Sequence, residues 1–508
     1  MSERGLDHGA QTAVEGSWPV LPSERTWGPW ALLGISASAA VATWCYIIGG
    51  YVAYYLPAGT GVIAMVAGSL VGILLIVLAT MPVATKHGID SIASSIPQLG
   101  TRGSYWSLFL LYVSVIGWNC LLLIFLGRAA AEILISFGLF GEGSRHLLVV
   151  LFGLAGGLVV WLLLRGGPNT MRNVGPLIAV TVVLLGAYIL VLLIVEVGWS
   201  NIMSAQPSAP SDSRLWNYVT GFEIMVASML SWWPYVGGMV RLVSSARKAM
   251  WPVVFGLGLP VALLSIIGLF AGLAFPNSGG DPTTFLVNLG GLVGGVPALL
   301  FIILANVGTV LVGVYVTAIG LKQLPVLQKR FSWNATTGLA LLPVAMVTIF
   351  FTDLFFDKFG TFLYFIGVFF APICGIQIVD YYLFRRQRVD IRGMYRAGPG
   401  TPYHFWGGIN PVGFLSLVAG FVTYVYLLNP VSYASHEPYE YVSASIPSAV
   451  VAAIVYAAFT RLLVLPARRG GYEETGATAS RVAGEPTGAR MSARRPADGS
   501  SGARGEAT

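Results

Sequence analysis

Three ionisable side chains, Arg128, Glu132 and Glu223, fall inside long apolar stretches of this chain, and they are the first candidates for chemistry. A charge at membrane depth is costly, so it belongs either to a structural pair or to a path for ions and protons. Arg128 and Glu132 stand four apart and share one face of a helix, where they would neutralise each other as a structural pair or serve a proton relay. Glu223 has no partner nearby in sequence. Its carboxylate would snorkel to an interface, bind a substrate cation or carry a coupling proton. The five histidines, His8, His87, His146, His404 and His436, lie in tails, loops or the ends of apolar stretches, and no serine combines a base with a glycine elbow. No GxxxxGK loop is present to cradle phosphates. Enzyme chemistry and ATP-driven pumping are therefore not expected, which leaves work driven by an ion gradient.

The elements that would position these residues are membrane helices. Of 508 residues, 56% are apolar and only 10% charged, with a mean hydropathy of +0.75; a soluble domain carries about a quarter charged residues. Stretches of roughly 20 residues with few charges read as spans at 30–55, 60–82, 105–136, 146–164, 174–195, 216–240, 251–275, 295–321, 335–352, 359–384, 411–428 and 445–464. Charge placement tests this division. Fifteen lysines and arginines fall in one alternating set of loops, including Arg385, Arg386, Arg388, Arg392 and Arg396 after the tenth span, against Arg145, Arg214 and Lys358 in the other. On the positive-inside rule both termini are cytoplasmic, in a bacterial-type inner membrane, and the arginines after the tenth span stay in water near anionic headgroups.

The net charge of +7 is then a topology signal, so the expected partners are the lipid bilayer and small solutes, with no nucleic acid. Cys45, Cys120 and Cys374 lie inside spans with no metal-ligand spacing and read as small buried apolar residues. The chain divides into a cytoplasmic segment (1–28), a ten-helix core (29–385), a loop with two peripheral helices (386–464) and a disordered tail (465–508) rich in Gly, Ala, Ser, Arg and Glu.

Two spans carry interruption signals at corresponding places. The first runs through small residues to Gly49-Gly50, and the sixth contains Ser231-Trp232-Trp233-Pro234 and Gly237-Gly238. Paired interruptions in the first and sixth helices point to a transporter's midplane site; the alternative is that these residues merely let helices pack closely.

Four segments resemble the nucleobase:cation symporter-1 family of cytosine, purine, allantoin and hydantoin permeases. They are Pro22-Ser-Glu-Arg-Thr-Trp27, Ile116-Gly-Trp118, Ser231-Trp-Trp-Pro through Arg241, and Pro372-Ile-Cys-Gly375 with Asp380-Tyr381, Arg385-Arg386 and Asp390. The resemblance implies an all-α fold of the leucine-transporter type: a five-plus-five inverted repeat, two peripheral helices, twelve spans in all, working by alternating access. It implies a symporter importing a small nitrogen heterocycle with Na+ or H+, the alternative being a substrate sensor or uncoupled facilitator on the same scaffold.

Carried over position by position, the resemblance makes Trp118 the stacking surface for a planar ring, with Asn119, Met229, Ser231, Trp232, Trp233, Asn306 and Tyr315 as further substrate-site candidates. The cation site would draw on Gly34, Ala37 or Ser38 and on Ala305, Gly308 and Thr309, with Glu223 the candidate for proton coupling. No cofactor is implied beyond a bound sodium ion. The chain also departs from its relatives. Leu122 replaces a glutamine, Met229 an aromatic, Val310 and Val314 asparagines, Gly238 an acidic residue, and Gly308 removes one hydroxyl that sodium-coupled relatives use. With most edge-reading side chains gone, the ligand either uses backbone groups and substitutes such as Asn119, Ser231, Asn306 and Tyr315, or is less polar than cytosine.

Overall fold

A computed structural model describes residues 18–40, 42–165, 180, 183–396 and 398–472. The helices that build the protein are α1 (Pro29–Ala40), α2 (Trp44–Ala53), α3 (Ala58–His87), α4 (Ser104–Ser136), α5 (Arg145–Leu164), α6 (Val183–Ser204), α7 (Arg214–Leu230), α8 (Trp233–Val240), α9 (Ala246–Ala274), α10 (Leu286–Leu321), α11 (Trp333–Phe350), α12 (Phe359–Phe384), α13 (Pro411–Leu427) and α14 (Ser445–Val464). Among the described residues, nine helices are long and apolar enough to cross a membrane. The first, sixth and eleventh expected spans appear in shorter pieces: α1 with α2, α7 with α8, and α13. The beginning of the expected fifth span lies outside the described residues, and its helix runs on to Ser204.

Both interrupted spans are broken, but not where glycine suggested. The first breaks around Ala42–Thr43, whereas Gly49 and Gly50 sit inside α2. A Cβ on Gly49 would lie 1.9 Å from the Ser265 carbonyl and one on Gly50 1.9 Å from that of Gly279. Those glycines serve close packing against α9 and the turn after it. The sixth breaks at Ser231–Trp232, and Pro234 occupies the first turn of α8, where its missing N–H costs nothing.

Around these breaks, α4 packs along α10, α2 against α9, and α7 against α3. α13 and α14 pack on each other and on α12. The Pro372–Gly375 segment makes that attachment possible: a Cβ on Gly375 would meet the Ala449 carbonyl of α14 at 2.0 Å, and Pro372 lies against Gly420 of α13. The outward faces of α3 and α5 expose Leu70, Leu74, Leu78, Leu151, Leu158 and Leu162, an apolar surface that fits acyl chains and would be a liability in water.

The charged residues rearrange the sequence-based picture. Arg128 and Glu132 do not pair with each other. Arg128 binds Asp281 at 2.7 Å, with its guanidinium over the Phe356 ring, while Glu132 binds Arg145 at 2.7 Å. Each finds a partner from another element near the same end of α4. Arg385 does not stay in water near headgroups either. It is 1% exposed and its Nε donates to Asp380 Oδ2 at 2.6 Å, while Arg386, Arg388, Arg392 and Arg396 are exposed. The Asp380 carboxylate also accepts from Gln98 (2.8 Å), Tyr472 (2.7 Å) and Tyr456 (3.2 Å), and Arg385 donates to the carbonyls of Pro97 and Gly470.

Gly470 and Tyr472 are thus part of the packed molecule, eight residues past α14, where a tail beginning at 465 was expected; residues 473–508 lie outside the described residues. At the other terminus, Arg25 donates to the carbonyls of Val20 and Thr85, and the Trp27 N–H to Leu242. That pins the Pro22–Trp27 segment between the end of α3 and the end of α8.

Candidate functional site

A small cavity lies where the two breaks face α4 and α10. The first break contributes Ala39 and Trp44, the second Ser231, Trp232 and Tyr235. α4 adds Trp118, Asn119 and Leu122 on one face at i, i+1 and i+4, and α10 adds Thr309 and Val312.

The walls are mostly aromatic. Trp44 and Trp118 have ring centroids 5.0 Å apart at 63°, Trp44 and Trp232 6.3 Å at 48°, and Trp232 and Tyr235 5.1 Å at 54°. Phe359 and Phe362 of α12 contact Trp118 edge-on at 5.3 and 6.0 Å. This explains the glycine before Trp118. A Cβ on Gly117 would stand 2.3 Å from the Phe362 ring, so only glycine lets that ring lie on α4 and brace the indole. Gly117→Ala is expected to lower stability by about 1–3 kcal/mol through overpacking, read as a drop in melting temperature of the purified protein. Adding Phe362→Leu should recover most of the loss. No recovery would show that the two residues do not constrain each other.

Polar groups in the cavity are few. Among the described residues, the indole N–H groups of Trp118 and Trp232 find no hydrogen-bond partner. Ser231 donates to the Ser228 carbonyl and Thr309 to that of Ala305, at 3.3 Å, which leaves the hydroxyl lone pairs of both free. The Asn119 amide lies against Gly313, where a Cβ would come within 2.5 Å of its Oδ1. Among the described residues, no Asp, Glu, Lys, Arg or His lines the cavity.

Of the substrate-site candidates, the structure brings Trp118, Asn119, Ser231 and Trp232 together and leaves four outside. Met229 is fully buried against Gly72 of α3. Trp233 faces the other way, donating to Gln377 at 2.7 Å and packing on Phe370. The turn between α7 and α8 stays right-handed and tight, so consecutive side chains point about 100–120° apart, and with Trp232 on the cavity side Trp233 faces the back. Asn306 accepts from Thr43 at 2.6 Å, tying α10 to the first break, and Tyr315 packs on Trp333. Sequence reasoning missed Trp44 and Tyr235 as wall residues. Trp44 stands at the end of the small-residue run that marks the break, and that position was the available signal.

The cation-site candidates are mixed. Thr309 lines the cavity; Ala305 and Gly308 are buried beside it on α10, which contacts α1, where Gly34 and Ala37 are half-buried. The side chain of Ser38 lies outside the described residues. The donor set, backbone carbonyls and one hydroxyl, is chemically suited to sodium, but Gly308 brings no side-chain oxygen. Glu223 is not on the cavity. Fully buried in α7, it accepts from the hydroxyls of Tyr424 (2.8 Å) and Ser445 (2.6 Å) and from the backbone N–H groups of Ala444 and Ser445 (both 3.2 Å). It therefore has partners that its sequence neighbourhood did not reveal, and it caps the N-terminus of α14.

Among known proteins, the chain is 24% identical over 433 residues to a purine-uracil permease of Arabidopsis thaliana, covering 80% of this chain and 70% of the relative. Its fold matches Mhp1, a nucleobase-cation-symport-1 family transporter solved in a closed conformation with bromovinylhydantoin bound, at a TM-score of 0.68 and 18% identity over 88% of this chain and 95% of that one. A Na+-coupled sialic acid symporter aligns at a TM-score of 0.55 and 13% identity, over 90% and 96% of the two chains. These likenesses make the fold that of the leucine-transporter type. Residues 19–445 match the family model described as permease for cytosine/purines, uracil, thiamine, allantoin. That match takes in all four sequence segments and every helix lining the cavity, and the chain belongs to this family, the nucleobase:cation symporter-1 transporters.

Proposed function

We propose that the protein imports a small, flat nitrogen heterocycle across the inner membrane by alternating access, coupled to a cation, with both termini in the cytoplasm. The observation that carries this reading is the cavity itself, set where two broken helices meet and walled by Trp44, Trp118 and Trp232. Trp118 offers its ring for stacking, and Asn119 and Ser231 supply hydrogen bonds to the ligand's edge. The oxygens of Gly34, Ala37, Ala305 and Thr309 are the candidates for Na+. The four hydrogen bonds on Glu223, and its place away from the cavity, favour this cation route over a Glu223 proton route.

Uptake of radiolabelled uracil, cytosine, hydantoin, allantoin and thiamine into proteoliposomes, under imposed Na+ or H+ gradients, tests the reading. At least one compound should accumulate against its gradient. Trp118→Ala should weaken its binding by about 1–3 kcal/mol, roughly 5- to 150-fold, the usual worth of a stacked ring. Accumulation of none of them, with Trp118→Ala identical to the parent in binding, would overturn the proposal. Binding without gradient-driven accumulation would instead support a sensor or an uncoupled facilitator, which the missing hydroxyl at Gly308 makes the second reading.

A further inference from the structure

We infer that a cleft on the lipid-facing side of the protein holds one anionic phospholipid, an acyl chain lying between α4, α12 and α13 and the phosphate at Arg102. The cleft follows from how three helices meet. α13 packs on α12 and not along α4, so these two stand apart over a floor of α12, in a cleft lined by Trp106, Phe369, Pro372, Phe414, Leu417 and Phe421. Val418 and Val422 form its exposed lip on α13. Phe369 ties the floor together, with ring centroids 6.0 Å from Trp106 and 5.8 Å from Phe421. Two glycines set its depth: a Cβ on Gly420 would lie 2.7 Å from Pro372, and one on Gly103 3.0 Å from the Phe414 ring. Hydrocarbon walls give water no polar partners, whereas an acyl chain fits them. From Phe414 to Val422 α13 rises about 12 Å, room for the part of one chain nearest its headgroup.

Charge at one end selects the headgroup. Arg102 stands one helical turn before Trp106, at the mouth of the cleft. Its backbone N–H donates to the Gly408 carbonyl at 2.7 Å, and its stem lies so close to Gly408 that a Cβ there would come within 2.7 Å. The guanidinium itself is exposed and, among the described residues, makes no ion pair or hydrogen bond. Beside it, the loop before α13 exposes Trp406 and Ile409, and Arg469 lies over the Trp406 ring at 4.8 Å. An exposed tryptophan among arginines is the composition of a headgroup-level belt. Among the described residues, no acidic side chain lines the cleft to repel a phosphate.

On the orientation proposed above, this mouth opens to the cytoplasmic leaflet, whose anionic lipids are drawn to basic pockets between helices. The floor also belongs to the helix whose first turn presses Phe359 and Phe362 on Trp118. The bound lipid therefore rests against a helix that shapes the central cavity, without entering that cavity.

The test titrates the purified full-length protein, in neutral detergent, with dioleoyl phosphatidylglycerol or dioleoyl phosphatidylcholine, which share their chains and differ in net charge. Native mass spectrometry and thermal unfolding follow binding. One phosphatidylglycerol should be held at least about fivefold more tightly than phosphatidylcholine, the worth of one basic contact. Arg102→Gln should remove that preference. Val418→Trp, which puts an indole into the cleft from an exposed position, should weaken both lipids. Arg247→Gln removes an exposed charge on α9, which does not border the cleft, and should change nothing. Equal binding of the two lipids by the unmodified protein overturns the inference, as does a loss from Arg247→Gln as large as that from Arg102→Gln. Displacement of the lipid by glycerol 1-phosphate alone overturns it in favour of a free-phosphate site. A dimer that dissociates on Val418→Trp overturns it in favour of a second copy of this chain. None of these readouts involves uptake, so the lipid site and the transport reading stand or fall separately.

Discussion

Asp380→Ala should be among the most damaging single changes in the protein, lowering its stability by about 3–5 kcal/mol. Arg385 is 1% exposed and Asp380 fully buried, joined at 2.6 Å. Removing the carboxylate leaves a guanidinium charge with the Pro97 and Gly470 carbonyls and the Tyr403 and Tyr472 rings around it but no counter-charge, and strands Gln98 and Tyr472 as well. A buried pair is worth far less than the cost of breaking it. The double variant Asp380→Ala with Arg385→Met should therefore recover most of the loss, measured as thermal unfolding of the purified protein. Equal damage in the single and double variants would show that the Asp380 site acts through packing and not through the ion pair. Ligand affinity should barely move in either, since neither residue lines the cavity.

The second large effect is expected at Glu223. If this carboxylate carried a coupling proton, Glu223→Gln would mimic its protonated form, leave the fold intact and flatten the pH dependence of uptake. The structure argues for a different outcome. Both carboxylate oxygens accept from donors, two of them backbone N–H groups at the start of α14. Glutamine could keep its oxygen on the two backbone N–H groups and turn its NH2 to the Tyr424 and Ser445 hydroxyls, which can accept, but all four bonds would lose their charge assistance. Hydrogen bonds to a charged group are worth about 1.5–3 kcal/mol each, so Glu223→Gln should cost at least about 2 kcal/mol of stability while ligand affinity stays within roughly threefold. The pH profile of uptake by the surviving folded protein should match the parent's. A stable Glu223→Gln with a flattened profile would return the proton role to this residue.

Both residues show how much the sequence disclosed. Asp380 and Arg385 stood out as a carboxylate and an arginine at the end of a span, and the fifteen-to-three charge asymmetry made that end a boundary. Their burial was not legible, because it depends on Gln98, Gly470 and Tyr472 converging from hundreds of residues away and from the far side of α14. Glu223 was visible as an expensive charge. Its partners lie more than 200 residues downstream, on helices whose contact with α7 no local pattern encodes. Arg128 and Glu132 teach the same lesson in reverse: a spacing that permits a pair does not make one when other elements bring better-placed charges.

By itself the sequence determined the membrane character, the approximate spans and the family, and it marked the first and sixth spans as candidates for interruption. Those features are one-dimensional, since apolar run length, charge alternation and short motifs can be read without knowing what packs where. Tertiary structure decided where the breaks fall and which side of the turn at Ser231–Trp232 each tryptophan faces. The one-residue step from Trp232 to Trp233 exchanges a cavity wall for a partner of Gln377, and Met229 yields its expected place to Trp232 and Trp44. Adjacent residues of a helical turn point in different directions, so the rotation of the helix about its axis decides which of them faces the cavity, and that rotation is set by the surrounding helices.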